Sequence, residues 1–114
     1  KGWHIASMDE WAQLIKFLGG GNSAGKKLKN TIGWDNYKEK TGNGNNESGF
    51  AAVPGGFRHL RGKFWYAGQS GFWWSSTEKL SYSAWSREIT YRSNAMSLYD
   101  DEKNRFLSVR CIKD

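Results

Sequence analysis

The chain has 114 residues with seven Trp, six Phe and five Tyr, 14 Gly, one Pro and one Cys, and a formal net charge of +6. That length fits one domain burying roughly two-thirds of the surface of its unfolded chain, and no run approaches the roughly 18 apolar residues of a membrane span. The positive charges are scattered, the densest runs being Lys26-Lys27-Leu28-Lys29 and Arg58-His59-Leu60-Arg61-Gly62-Lys63, and neither falls in a zinc-finger or RNP-like pattern, so nucleic acid is not an expected partner.

In chain order, Ser7-Met8-Asp9-Glu10 fits a capping box. Trp11, Leu14, Ile15 and Leu18 follow at helical spacing and Gly19-Gly20-Gly21 stops the run. The spacing predicts a helix over residues 8–18. Asn22 or Ser23 opens a second, short helix that runs to about Leu28, weakened by Gly25. Residues 31–48 are polar and rich in Gly and Asn and read as one long irregular loop.

After Phe50 the pattern changes to short strands punctuated by glycine. Strands are predicted over 50–53, 62–66, 71–75, 84–91, 95–99 and 107–112. Helices first and antiparallel strands after is an α+β arrangement. In "GFWWSSTE", residues 71–78, two adjacent tryptophans on a strand must face opposite ways. One is core. The other belongs to a ligand platform or to a second packed layer, and packed layers are the expectation. Trp3, Trp11, Phe50, Phe64 and one of Trp73 and Trp74 form the expected core.

The segments "GWHIASMDEW", "AGKKLK", "GW", "GFAAVPGGFR", "GKF", "GFWWSSTE" and "SVRCIKD" occur in that order. Together they resemble the Fibrobacter succinogenes major paralogous domain, found in secreted and surface proteins of Fibrobacter and Bacteroidetes, over essentially the whole chain. The resemblance implies a C-type lectin-like fold of the formylglycine-generating-enzyme-like branch: two N-terminal helices, then a twisted antiparallel sheet with long loops. It also implies an extracellular or cell-surface location, as in an outer-membrane lipoprotein, and a chain that starts at Lys1 as a piece excised from a larger surface protein. Cys111 has no partner within the chain. By itself it reads as a small buried apolar residue. The resemblance implies instead a pairing with a cysteine just upstream of Lys1, which suits an oxidising compartment.

Catalysis is not expected. The cysteine pair of formylglycine-generating enzymes is missing. His4 and His59 lack nucleophile partners, and His4 reads as a structural hydrogen bonder. Calcium is a weak candidate. Asn43, Asn45 and Glu47 in one loop, and Asp100 and Asp101 in an acidic run, offer oxygens, but six to eight ligands are needed. The lectin triplets that hold sugar through calcium are absent. The stronger candidate surface lies between residues 78 and 105. It carries Tyr82, Trp85, Arg87, Tyr91, Arg92, Asn94, Tyr99 and Asn104, residue types that combine contact area with hydrogen bonding. The expectation is a monomeric, non-enzymatic binding module for a glycan or a protein surface. A structural spacer without a ligand, and a relative of the formylglycine-generating type, are the alternatives.

Overall fold

The computed structural model describes all residues, 1–114. Strand β1, Trp3–Ile5, leads into helix α1, Met8–Phe17, and the short helix α2, Ala24–Leu28. Strands β2, Asn36–Tyr37, and β3, Lys40–Thr41, make a small hairpin. Strands β4, Phe57–Arg58, and β5, Phe64–Trp65, make another. The long strands follow: β6, Ser70–Leu80, β7, Ser83–Thr90, and β8, Met96–Glu102. Strand β9, Cys111–Lys113, returns to pair antiparallel with β1.

Helix α1 starts where the sequence predicts. The Glu10 amide donates to Ser7 Oγ at 3.2 Å and the Ser7 amide to Glu10 Oε1 at 2.9 Å, the reciprocal capping box. Trp11, Ile15 and Leu18 then face the core. With Ala24, Leu28, Trp34, Ala52, Trp73, Ile89 and Met96 they form its main cluster. Phe50 packs on its edge, 5.9 Å from the rings of both Trp11 and Trp73.

The expected α+β architecture, two N-terminal helices followed by one twisted antiparallel sheet on the C-type lectin-like plan, is not what the chain forms. Its strands divide among four separate sheets. Three contain two strands each, and only β6-β7-β8 has three. The two helices are short, at 10 and 5 residues. The cause is local. Gly56, Gly62 and Gly68 all take positive φ between Pro54 and Ser70, which turns the chain before any strand there can lengthen. Residues 50–53 supply only the isolated bridge from Ala52 to Lys29, and residues 107–112 condense to a three-residue strand. The loop predicted over 31–48 contains the β2–β3 hairpin, with Lys38 and Glu39 at positive φ in its turn.

The core forecast needs correction as well. Trp3 is 61% exposed and Phe64 71% exposed, whereas Trp34 is buried. Cys111 is exposed rather than packed. The edge strands β1 and β5 leave Trp3 and Phe64 outside, since two- and three-residue ladders are too short to bring a second layer over them.

Candidate functional site

The pairing of β6, β7 and β8 settles which side chains share a face, because directly opposed residues of an antiparallel pair lie on the same side. Gly71 and Trp73 oppose Ile89 and Arg87, which oppose Met96 and Leu98. This face meets the core: Ile89 and Met96 are buried there, and Trp73 is 5% exposed. Ser70, Phe72 and Trp74 oppose Thr90, Glu88 and Ser86, and Glu88 and Ser86 oppose Ser97 and Tyr99. This is the second face. The Trp73-Trp74 pair therefore divides as the period of two requires, one ring in the core and one half-buried opposite.

The second face is partly covered by the β4–β5 hairpin. Phe57 meets Phe72 edge-on at 5.3 Å, and Tyr66 lies 6.1 Å from Phe57 and 6.4 Å from Phe72. Arg105 stacks over Phe57 at 5.3 Å and pairs with Asp101, which also accepts from the Ser86 hydroxyl at 2.6 Å. Beyond this cover the face opens into a cleft of about 350 Å³, lined by Tyr66, Gln69, Ser70, Glu88, Thr90, Tyr91, Arg92 and Tyr99. Tyr66 reaches it from a strained backbone position, φ 62°. Burial pushes the Glu88 carboxyl above the ordinary glutamate range, opposed by a hydrogen bond with Ser70 and aided by the charge of Asp101. The Arg92 guanidinium lies 5.6 Å from the Tyr91 ring and 5.7 Å from the Tyr37 ring, and those two rings meet edge-on at 5.5 Å. A half-buried carboxyl, a guanidinium and three tyrosines thus converge on one concavity, a combination of apolar faces and fixed polar groups suited to binding.

The eight residues singled out from the sequence do not form one surface. Tyr91, Arg92 and Tyr99 line the cleft. Asn94 lines a neighbouring pocket that shares Tyr91 and Arg92. Trp85 and Arg87 alternate onto the opposite face. Arg87 borders the C-terminal end of α1 beside Lys16 and Gly19, with its Nε buried and unpartnered and its pKa lowered by burial. Trp85 lies under Lys79 at 4.7 Å. Tyr82 and Asn104 sit in the turns at the far end of the sheet, where the Tyr82 carbonyl accepts from the Lys103 amide. Tyr66, Gln69, Ser70, Glu88 and Thr90 were missed. Glu88 was legible, since it alternates with Arg87 and Ile89 and so must face away from the core. Tyr66 was not, because its approach depends on the hairpin's glycines.

The oxygens considered for calcium are engaged elsewhere. Asn43 Oδ1 accepts from the Trp34 amide at 2.9 Å, and Asn45 Oδ1 accepts from the Glu47 amide at 3.0 Å. Glu47 pairs with Lys27, Asp100 with Lys79 and Asp101 with Arg105. No group of three or more His, Cys, Asp or Glu side chains is placed to hold a metal ion. No helix is long and apolar enough to cross a membrane.

The family model of the Fibrobacter succinogenes major domain matches residues 1–113, and the chain belongs to that family. No curated protein and no solved structure matches it.

Proposed function

We propose that this member of the Fibrobacter succinogenes major domain family is a non-enzymatic binding module, displayed outside the cell, that holds a glycan in the tyrosine cleft. The observation that carries this reading is the meeting of Tyr66, Tyr91 and Tyr99 with Glu88 and Arg92 in one open concavity. Tyrosine rings offer apolar faces to sugar rings and hydroxyls to their edges. A half-buried carboxyl held on a sheet strand accepts from sugar hydroxyls in a fixed direction. A guanidinium braced by two rings loses little freedom on binding.

The test is a glycan array on the purified domain, with calcium and again with a chelator. Hits are expected to persist in chelator, to disappear in Tyr99→Ala and Glu88→Gln, and to survive in Trp85→Ala, whose side chain lies on the other face. Hits lost equally in Trp85→Ala would move the site off the cleft. A blank array would leave the protein-surface and spacer readings.

A further inference from the structure

The pocket that shares Tyr91 and Arg92 with the cleft has a different chemistry. It measures about 180 Å³ and is lined by Lys29, Lys40, Arg92, Thr41, Ser93 and Asn94 beside the two tyrosines Tyr37 and Tyr91. Three cations contribute to its wall and no acidic residue does. Elsewhere on the surface several basic side chains have an acidic partner: Lys27 with Glu47, Lys79 with Asp100, Lys103 with Glu78, Arg105 with Asp101. Lys29, Lys40 and Arg92 are in no ion pair.

Lys29 is the unusual member. The residue is 1% exposed. Its ammonium donates to the carbonyls of Thr90, at 3.2 Å, and Ser93, at 3.0 Å, and lies 5.4 Å from the Trp34 ring. Carbonyl dipoles and a ring face solvate the charge without cancelling it. Desolvation accordingly lowers its pKa to about 8. An uncompensated cation in a low-dielectric wall projects positive potential into the concavity beside it, and Arg92 and Lys40 add to that potential from the rim. The pocket has room for one carboxylate or sulfate group with a few waters, at about 30 Å³ each.

We infer that this pocket is an anion subsite, and that the saccharide held in the tyrosine cleft is an acidic one, whose carboxylate or sulfate group sits against Lys29, Lys40 and Arg92. The saccharide part rests on the reading of the cleft given above; the anion subsite stands by itself. Arg92 belongs to both concavities, so a sugar ring on Tyr91 puts a substituent within reach of the cations.

Two arms separate these claims. In the first, inorganic sulfate is titrated into ¹⁵N-labelled protein at constant ionic strength. Saturable amide shifts are expected at residues 90–94, together with loss of that saturation in the double variant Lys40→Gln/Arg92→Gln. Both residues are exposed, so the fold is kept, and Lys29 is left in place. Linear shifts, or saturation unchanged in the double variant, would overturn the subsite. The second arm uses calorimetry with digalacturonate, chondroitin sulfate disaccharide and neutral galactobiose, alongside an array holding neutral, uronate and sulfated glycans. Acidic ligands are expected to bind about tenfold or more tightly than their neutral counterparts, with the advantage removed in the double variant. Tighter binding of the chondroitin sulfate disaccharide than of the same disaccharide without its sulfate identifies sulfate as the group received, and equal binding of the two identifies the uronate carboxylate. Neutral glycans bound as tightly as acidic ones, and lost in Tyr99→Ala, would overturn the acidic assignment while the cleft reading stands. Saturable sulfate with no glycan bound would overturn the cleft reading and the saccharide claim together.

Discussion

Replacing Lys29 by Met isolates the electrostatics of the buried ammonium. The variant keeps the stem's packing and removes both the charge and the donors to the Thr90 and Ser93 carbonyls. Leaving those carbonyls without a partner costs about 1–3 kcal/mol. Against this stands the cost of holding the cation. Its pKa falls from 10.5 to about 8 through desolvation. At about 1.4 kcal/mol per pH unit the full conversion is about 3.5 kcal/mol, and about 2 kcal/mol once water in the adjoining pocket is allowed for. The two effects nearly cancel, so at pH 7 the variant is expected within about 1 kcal/mol of the parent. At higher pH they separate. The unfolded chain binds this proton more tightly than the folded one, so parent stability rises as pH climbs from about 8 toward 10.5. The variant has no such group. Urea unfolding followed by tryptophan fluorescence at pH 7 and pH 10 should show the parent gaining about 1.5 kcal/mol on the variant. An unchanged difference between the two pH values would refute the desolvated-cation account. So would a variant more than about 3 kcal/mol weaker at pH 7.

The His4 ring joins Glu10 and Asp114, with 2.7 Å contacts at Nε2 and Nδ1, and two carboxylate partners require both nitrogens to donate. The Glu10 bond, then the Asp114 bond, raises the His4 pKa, while the Ser7 amide and then His4 lower that of Glu10. The brace is therefore complete between the ordinary carboxylate range and about pH 6.5. It is lost as pH rises through the elevated histidine value, and again as pH falls through the depressed glutamate value. NMR titration should place the His4 midpoint above 6.5, and a midpoint at or below it would remove the brace. Gly56→Ala should lower stability by about 3 kcal/mol or more. The position has φ 63°, and a Cβ there collides with the Trp65 carbonyl oxygen. An unchanged urea midpoint would show that the β4–β5 hairpin can shift without cost.

The features legible in the sequence were those set by local chemistry. The capping box and the 3.6-residue stripe located α1, two-residue alternation located β7 to within one residue, and the glycine-punctuated pattern found the starts of β6 and β8, although β6 runs on five residues past Ser75. What escaped was long-range. Nothing in "GWHI" announces a strand, because β1 exists only by pairing with β9 from the other end of the chain. The single large sheet was expected from the count of strands. Strand count does not reveal that glycine turns confine most of them to separate hairpins. The site shows the same division. Residue types between 78 and 105 pointed to a binding surface. Assigning Trp85 and Arg87 to it overlooked the alternation that sends them to the other face. Lys29 stood out in the sequence only as part of a dense basic run, and its burial follows from the Thr90 and Ser93 carbonyls arriving more than 60 residues later.

The pairing of β1 with β9 also fixes how the fold responds to force. Trp3 lies opposite Lys113, and Ile5 opposite Cys111, so both ends of the chain leave from the same end of this ladder. Tension between them opens it like a zipper, loading one rung at a time instead of shearing all three together. The first rungs to meet the load are the Asp114 amide on the Gly2 carbonyl and the His4 bridge to Asp114. Pulled by its ends, the domain should yield first at this seam, and at lower force in mildly alkaline than in mildly acidic solution, while the β6-β7-β8 sheet behind it stays folded.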